Sequence, residues 1–143
     1  MTPRLSQTET LDQPGATPYV EGVDGARDLD FALARAKASG KRVLLNMGGN
    51  WCGDCRALFG ILEIPEVKAY IGAHYEMAWV NVGRYTENLH VAERFGVELH
   101  AAPTLVMLDA DGKILNPDDM ITLRAARSMT PQAILDWLAQ WAE

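Results

Sequence analysis

The sequence predicts a mixed α/β domain, with helices covering both faces of a four- or five-stranded sheet. Three observations point there. Helical and strand patterns alternate along the chain. The only two cysteines, Cys52 and Cys55, stand where an apolar run hands over to a helical pattern. A turn-linked pair of apolar runs then precedes a closing amphipathic segment.

Residues 1–22 are read as a flexible tail, rich in Thr, Gln, Pro and Ser with scattered apolar positions. Tyr19 and Val20 are expected as a short edge strand. The domain is expected over 23–143. Leu29, Ala32, Leu33 and Ala36 recur at helical spacing, with Asp24 or Asp28 at the start. Gly40 occupies a C-cap position, and Lys37 and Lys41 suit the negative end of the helix dipole. Arg42 to Met47 follows as a central strand.

After Gly48-Gly49 comes Trp51-Cys52-Gly53-Asp54-Cys55. Cys55, Leu58, Phe59 and Leu62 then fall on one face of a helix, which Gly60 should soften. Pro65 opens a further short helix carrying Val67, Tyr70 and Ile71. Met77 to Val82 reads as a strand. Thr86 caps a helix through Phe95, with Leu89 and Ala92 inward and Gly96 ending it. Pro103 enters a strand over Leu105 to Leu108, Asp109-Ala110-Asp111-Gly112 turns, and Lys113-Ile114-Leu115 returns as a hairpin. Ile121 and Leu123 are expected as one more short strand. Thr130-Pro131 starts the last helix, whose stripe is Ile134, Leu135, Leu138, Trp141 and Ala142.

The composition excludes several classes. A formal net charge of −6 with no basic run argues against nucleic-acid binding. No apolar stretch approaches a membrane span. A structural zinc site takes four ligands, and His74, His90 and His100 do not complete one with the two cysteines. The Asp-x-Asp turn is no calcium loop, because Lys113 stands at the next ligand position. No metal or cofactor is expected.

The chemistry of the Cys-x-x-Cys stretch follows from its place. Cys52 lies at a helix N-terminus, where unpaired N–H groups and the dipole favour thiolate over thiol. Thiolate is the nucleophile of disulfide exchange. Cys55, one turn further on, can reach back and close the disulfide. A merely structural bridge of so short a loop would gain little.

Trp51-Cys52-Gly53-Asp54-Cys55, the strand before it, Ala102-Pro103-Thr104 before the hairpin strand, and the terminal amphipathic helix resemble the thioredoxin fold over roughly residues 25–143. The run from helix through Gly40-Lys41-Arg42 to Gly48-Gly49-Asn50-Trp51-Cys52 is similar to bacterial thioredoxin-like proteins labelled disulfide isomerase, and to the C-terminal domain of DsbD. The resemblance implies a thiol–disulfide oxidoreductase. Cys52 would attack and Cys55 would resolve. Trp51 would flank the site, Gly53 and Asp54 would complete its surface, and a cis Pro103 with Ala102 would receive an extended substrate.

Two positions depart from the pattern. Asn46 stands where thioredoxins carry a buried Asp, and a neutral amide cannot act as that base. Asp54 stands where thioredoxin has proline; it suits the helix start and raises the pKa of a nearby thiol. Asp54 therefore tilts the expectation toward the reductase direction. The alternatives are an isomerase or oxidase of an oxidising compartment, and a non-catalytic binding module. His100, close to Pro103 in sequence, is read as either a border of the site or an ordinary surface histidine. Partners expected are a disulfide-containing protein or small-thiol substrate and an electron-donating redox protein. Localisation is expected to be cytoplasmic as the sequence stands, since Met1 to Gln13 has no signal-like apolar core, or periplasmic if a signal peptide has been removed.

Overall fold

A computed structural model describes residues 2–142. Helix α1 spans Gly25–Ser39 and strand β1 spans Arg42–Gly48. Helices α2 (Gly53–Leu62) and α3 (Pro65–His74) lead to strand β2 (Tyr75–Asn81). Helix α4 (Leu89–Glu93), strand β3 (Thr104–Leu108), a 3-10 helix (Thr122–Ser128) and helix α5 (Pro131–Ala139) follow. The sheet order is β2-β1-β3. β1 runs parallel to β2 and antiparallel to β3.

Alternation along the strands divides two cores. Val43, Leu45, Met47, Val106 and Leu108 pack with Leu29, Ala32 and Ala36 of α1. Leu44, Leu105 and Met107 pack on the other face with α2, α3, the 3-10 helix and α5. Both faces are covered, as expected, and β1 is buried from Val43 to Gly48. A strand buried on both faces reads as an unbroken apolar run.

Local signals held at several ends. Asp24 caps α1 by accepting from Ala26 N–H, and Gly40 closes it in the left-handed region at φ 76°. Thr130 accepts from Ala133 N–H, and Pro131 opens α5. Gly60 lies inside α2, and Gln13 packs against it.

The sheet has three strands among the described residues, not four or five. The expected return strand Lys113–Leu115 is reduced to one bridge between Ile114 and Leu108. The outer edge of β3 is satisfied by other means. Asn116 accepts from Met107 N–H at 2.8 Å and donates to Leu105 C=O at 2.9 Å. Met120 C=O accepts from Leu105 N–H. An amide side chain therefore takes the place of a strand, which meets the pairing demand of buried backbone. Ile121 and Leu123 lie not in a strand but at the start of the 3-10 helix.

Residues 19 and 20 form no edge strand; Tyr19 instead buries its side chain. The helix expected from Thr86 begins at Leu89. Its start is displaced because Asn88 takes left-handed backbone at φ 53°, which interrupts a right-handed helix; its side chain donates to Asn81 C=O at 2.7 Å and accepts from Gly25 N–H at 3.0 Å.

Candidate active site

β1 carries the chain to Gly48 at the end of the sheet, and the loop through Asn50 and Trp51 delivers Cys52 as the N-cap of α2. Cys52 has extended backbone, and its Sγ accepts from Cys55 N–H at 3.2 Å. Its thiol also meets Ala102 C=O at 3.5 Å. The two thiols are unbridged. Cys52 is 6% exposed and Cys55 fully buried.

The two sulfurs are electrostatically unequal. The Cys52 thiol is lowered to about 7. The largest cause is the hydrogen bond from the Cys55 thiol; burial opposes it, and the N–H groups of Cys55 and Asp54 add to it. The Asp54 carboxylate pushes the other way. The Cys55 thiol is held far above its ordinary range, first by donating that hydrogen bond and then by burial. One thiol is poised to ionise at neutral pH while its neighbour keeps its proton.

The surroundings assemble from distant parts of the chain. The Ala102–Pro103 peptide is cis, and Ala102 lines the recess beside Cys52. Trp51 is 37% exposed. It donates from Nε1 to Gly83 C=O, meets Tyr85 edge-on at 6.0 Å, and carries Arg84 at 4.9 Å from its ring centroid. Asp54 accepts from the backbone N–H and Nε of Arg127. The Arg127 guanidinium lies over Gly53, where a Cβ would come within 2.7 Å of it. Arg56 reaches Asp12 through two hydrogen bonds and Asn50 C=O through a third.

The structure thus brings together Trp51, Cys52, Gly53, Asp54 and Ala102 along one open recess. Cys55 lies buried beneath it, and Pro103 follows Ala102 into β3. His100 lines a different recess, with Ile121 and Pro117. Among the described residues no cluster of three or more His, Cys, Asp or Glu is placed to hold a metal. No helix of the described residues is long and apolar enough to cross a membrane.

Sequence reasoning missed Arg124 and Arg127, which line the recess, and Tyr19, which lies behind it. The arginines sit in a stretch without a clear period. Tyr19 sits in a segment of loop composition, and only its size among small polar neighbours marks it.

A family model described as thioredoxin-like matches residues 24–110. Among solved structures, a disulphide isomerase from Xylella fastidiosa Temecula1 is 32% identical, with 90% of this chain and 99% of that chain covered at a TM-score of 0.79. A mutant thioredoxin from Halobacterium salinarum NRC-1 is 26% identical, covering 90% and 96% at a TM-score of 0.53. The C-terminal domain of DsbD from Neisseria meningitidis is 18% identical, covering 83% and 97% at a TM-score of 0.59, a likeness of fold. No curated protein matches the chain.

Proposed function

The chain belongs to the thioredoxin-like family, and on that premise we propose that it is a thiol–disulfide oxidoreductase working in the reductase direction. The observation that carries this reading is the unequal pair at the head of α2: a Cys52 thiol lowered to about 7 beside a buried, protonated Cys55.

Cys52 thiolate attacks a substrate disulfide. One substrate sulfur leaves and takes a proton, and the other stays bonded to Cys52. Cys55 then loses its proton and attacks Cys52. The Cys52–Cys55 bond forms as the Cys52–substrate bond breaks, and the substrate leaves reduced. An external dithiol protein or small thiol restores the two cysteines, since disulfide exchange needs only a thiol donor. Trp51, Gly53, Asp54, Ala102 and Pro103 form the surface the substrate crosses. The Asp54 carboxylate opposes ionisation of Cys52, which favours a lower potential.

A second reading is disulfide isomerisation in an oxidising compartment. Its support is the 32% identity to a protein named disulphide isomerase.

The test is covalent trapping. Cys55→Ser accumulates substrates disulfide-bonded to Cys52, whereas Cys52→Ser traps none. Equal trapping by both variants, or by neither, overturns the roles assigned to Cys52 and Cys55; a Cys52→Ser, Cys55→Ser double variant that still holds its partner favours a binding module. A reduction potential near that of thioredoxin, about −270 mV, supports the reductase; one near −180 mV supports the isomerase.

A further inference from the structure

Behind the cysteines lies a buried phenol that the chemistry above does not use. Tyr19 is 1% exposed, and its ring meets Trp79 edge-on with centroids 5.3 Å apart. Its hydroxyl donates to Asn46 Oδ1 at 2.7 Å. Asn46 is fully buried on β1, and its Nδ2 has no partner among the described residues.

The backbone of Tyr19 is clamped to the loop that presents Cys52. Its N–H donates to Asn50 Oδ1 at 2.9 Å, and its C=O accepts from Asn50 Nδ2 at 2.7 Å. Asn81 Nδ2 adds a third bond at 3.4 Å. The phenol oxygen and Cys55 Sγ both border Gly48. A Cβ placed there would lie 2.7 Å from each, so both atoms border one small space that glycine leaves open.

We propose that the Tyr19 hydroxyl supplies the hydrogen bond that stabilises the Cys55 thiolate when it releases substrate from Cys52, with Asn46 as its positioning partner. The proposal rests on the oxidoreductase reading. In that step Cys55 gives its proton to water and its thiolate attacks Cys52 Sγ. The Cys52–Cys55 bond forms, the Cys52–substrate bond breaks, and the electron pair leaves on the substrate sulfur, which takes a proton from water. A buried thiolate without a donor is costly.

Asn46 offers no acid, but its amide can reverse. A half-turn brings the unpartnered Nδ2 to the phenol oxygen. Tyr19 then accepts from Asn46, and its own hydrogen is free for Cys55. Burial, and next the charge of Cys55, hold Tyr19 well above its ordinary value, so it remains a donor at neutral pH. The other ionisable groups that act on Cys55 are Cys52, hydrogen-bonded to it, and Arg56 and Tyr85, which sense its charge.

Dithiobis-nitrobenzoate separates the two steps. Reduced protein releases one coloured thiolate when Cys52 attacks and a second when Cys55 attacks. Tyr19→Phe keeps the ring and should retain the first phase. Its second phase should slow roughly ten-fold at neutral pH, with the pH midpoint moved up by roughly one unit, as expected for losing one hydrogen bond to a charged group. An unchanged second phase overturns the proposal, and so does a slower one with an unmoved midpoint, which is a packing effect. If Tyr19→Phe does not fold, Asn50→Ala, which frees the Tyr19 backbone, takes its place with the same outcomes. Absence of both phases in the wild type overturns the oxidoreductase reading itself.

Discussion

Arg127 and Asp54 join the 3-10 helix to the first turn of α2, directly beside the two thiols. The backbone N–H of Arg127 donates to Asp54 Oδ1 at 2.9 Å, and its Nε donates to the same oxygen at 3.2 Å. One carboxylate therefore does two things: it anchors a segment that lines the recess, and it holds negative charge near Cys52.

Asp54→Asn should make Cys52 more acidic. The carboxylate raises the Cys52 pKa, so removing it favours the thiolate, and the released Arg127 cation acts in the same direction. A more stable reduced form raises the reduction potential. Thiolate absorbance in the ultraviolet against pH reads the first effect, and equilibration in glutathione buffers reads the second. An unchanged or higher Cys52 pKa contradicts the assigned role of the charge.

The attack step should follow the ionisation of Cys52. Its thiol is lowered from 9.0 to about 7. Alkylation of Cys52 should therefore fall about ten-fold per unit below that pKa and level off above it. The linkage has a definite sign. A pKa depressed by folding contributes stability above the unfolded value, and this is lost as pH falls through the folded value. Reduced wild type should gain stability over Cys52→Ser as pH rises from about 7 toward 9. Denaturant titrations across that window measure it; a difference that stays flat counts against the depressed thiol.

Gly48→Ala and Gly72→Ala should have opposite effects. A Cβ at Gly48 would meet Cys55 Sγ and the Tyr19 oxygen at 2.7 Å, among buried groups that have little room to yield. Overpacking of this kind costs about 1–3 kcal/mol. Gly72 lies in α3 with nothing within 4 Å, and alanine there should add about 0.5–1 kcal/mol through helix propensity. Midpoints of urea unfolding give both signs, and a tolerated Gly48→Ala would mean the packing behind the thiols is loose.

Disulfides of opposite charge should be distinguished. The whole chain carries −6, yet Arg56, Arg124 and Arg127 line the recess and Arg84 covers Trp51. Asp12 offsets Arg56, and Asp54 offsets Arg127. Among the described residues, Arg84 and Arg124 form no ion pair, so the mouth of the recess is cationic. At low salt, oxidised glutathione should react roughly three-fold or more faster than the cationic disulfide cystamine, and the gap should narrow as salt screens the field. Equal rates at low salt would show that the arginines do not select.

Most of the frame was legible residue by residue. The unbroken apolar run of β1, the stripe of α1 and the Thr130-Pro131 start of α5 are local signals, since each depends on neighbours within a turn or a strand. The place of Cys52 at a helix N-terminus was legible for the same reason. It follows from an apolar run, two glycines and a helical stripe in immediate succession.

The strand count was not legible, because the edge of β3 is closed by the Asn116 amide rather than by a strand. A side chain that replaces a ladder leaves no periodicity. Nor were the groups around the thiols. Asp54 and Arg127 are 73 residues apart, and Tyr19 and Asn46 are 27 apart. By itself the sequence determined where the two thiols stand and which local structure presents them, because thiol spacing and helix entry are properties of a continuous stretch. Only the tertiary structure decided how that chemistry is tuned. Charge, burial and hydrogen bonding act through space, and the groups that supply them here come from separate segments brought together by packing on one end of the sheet.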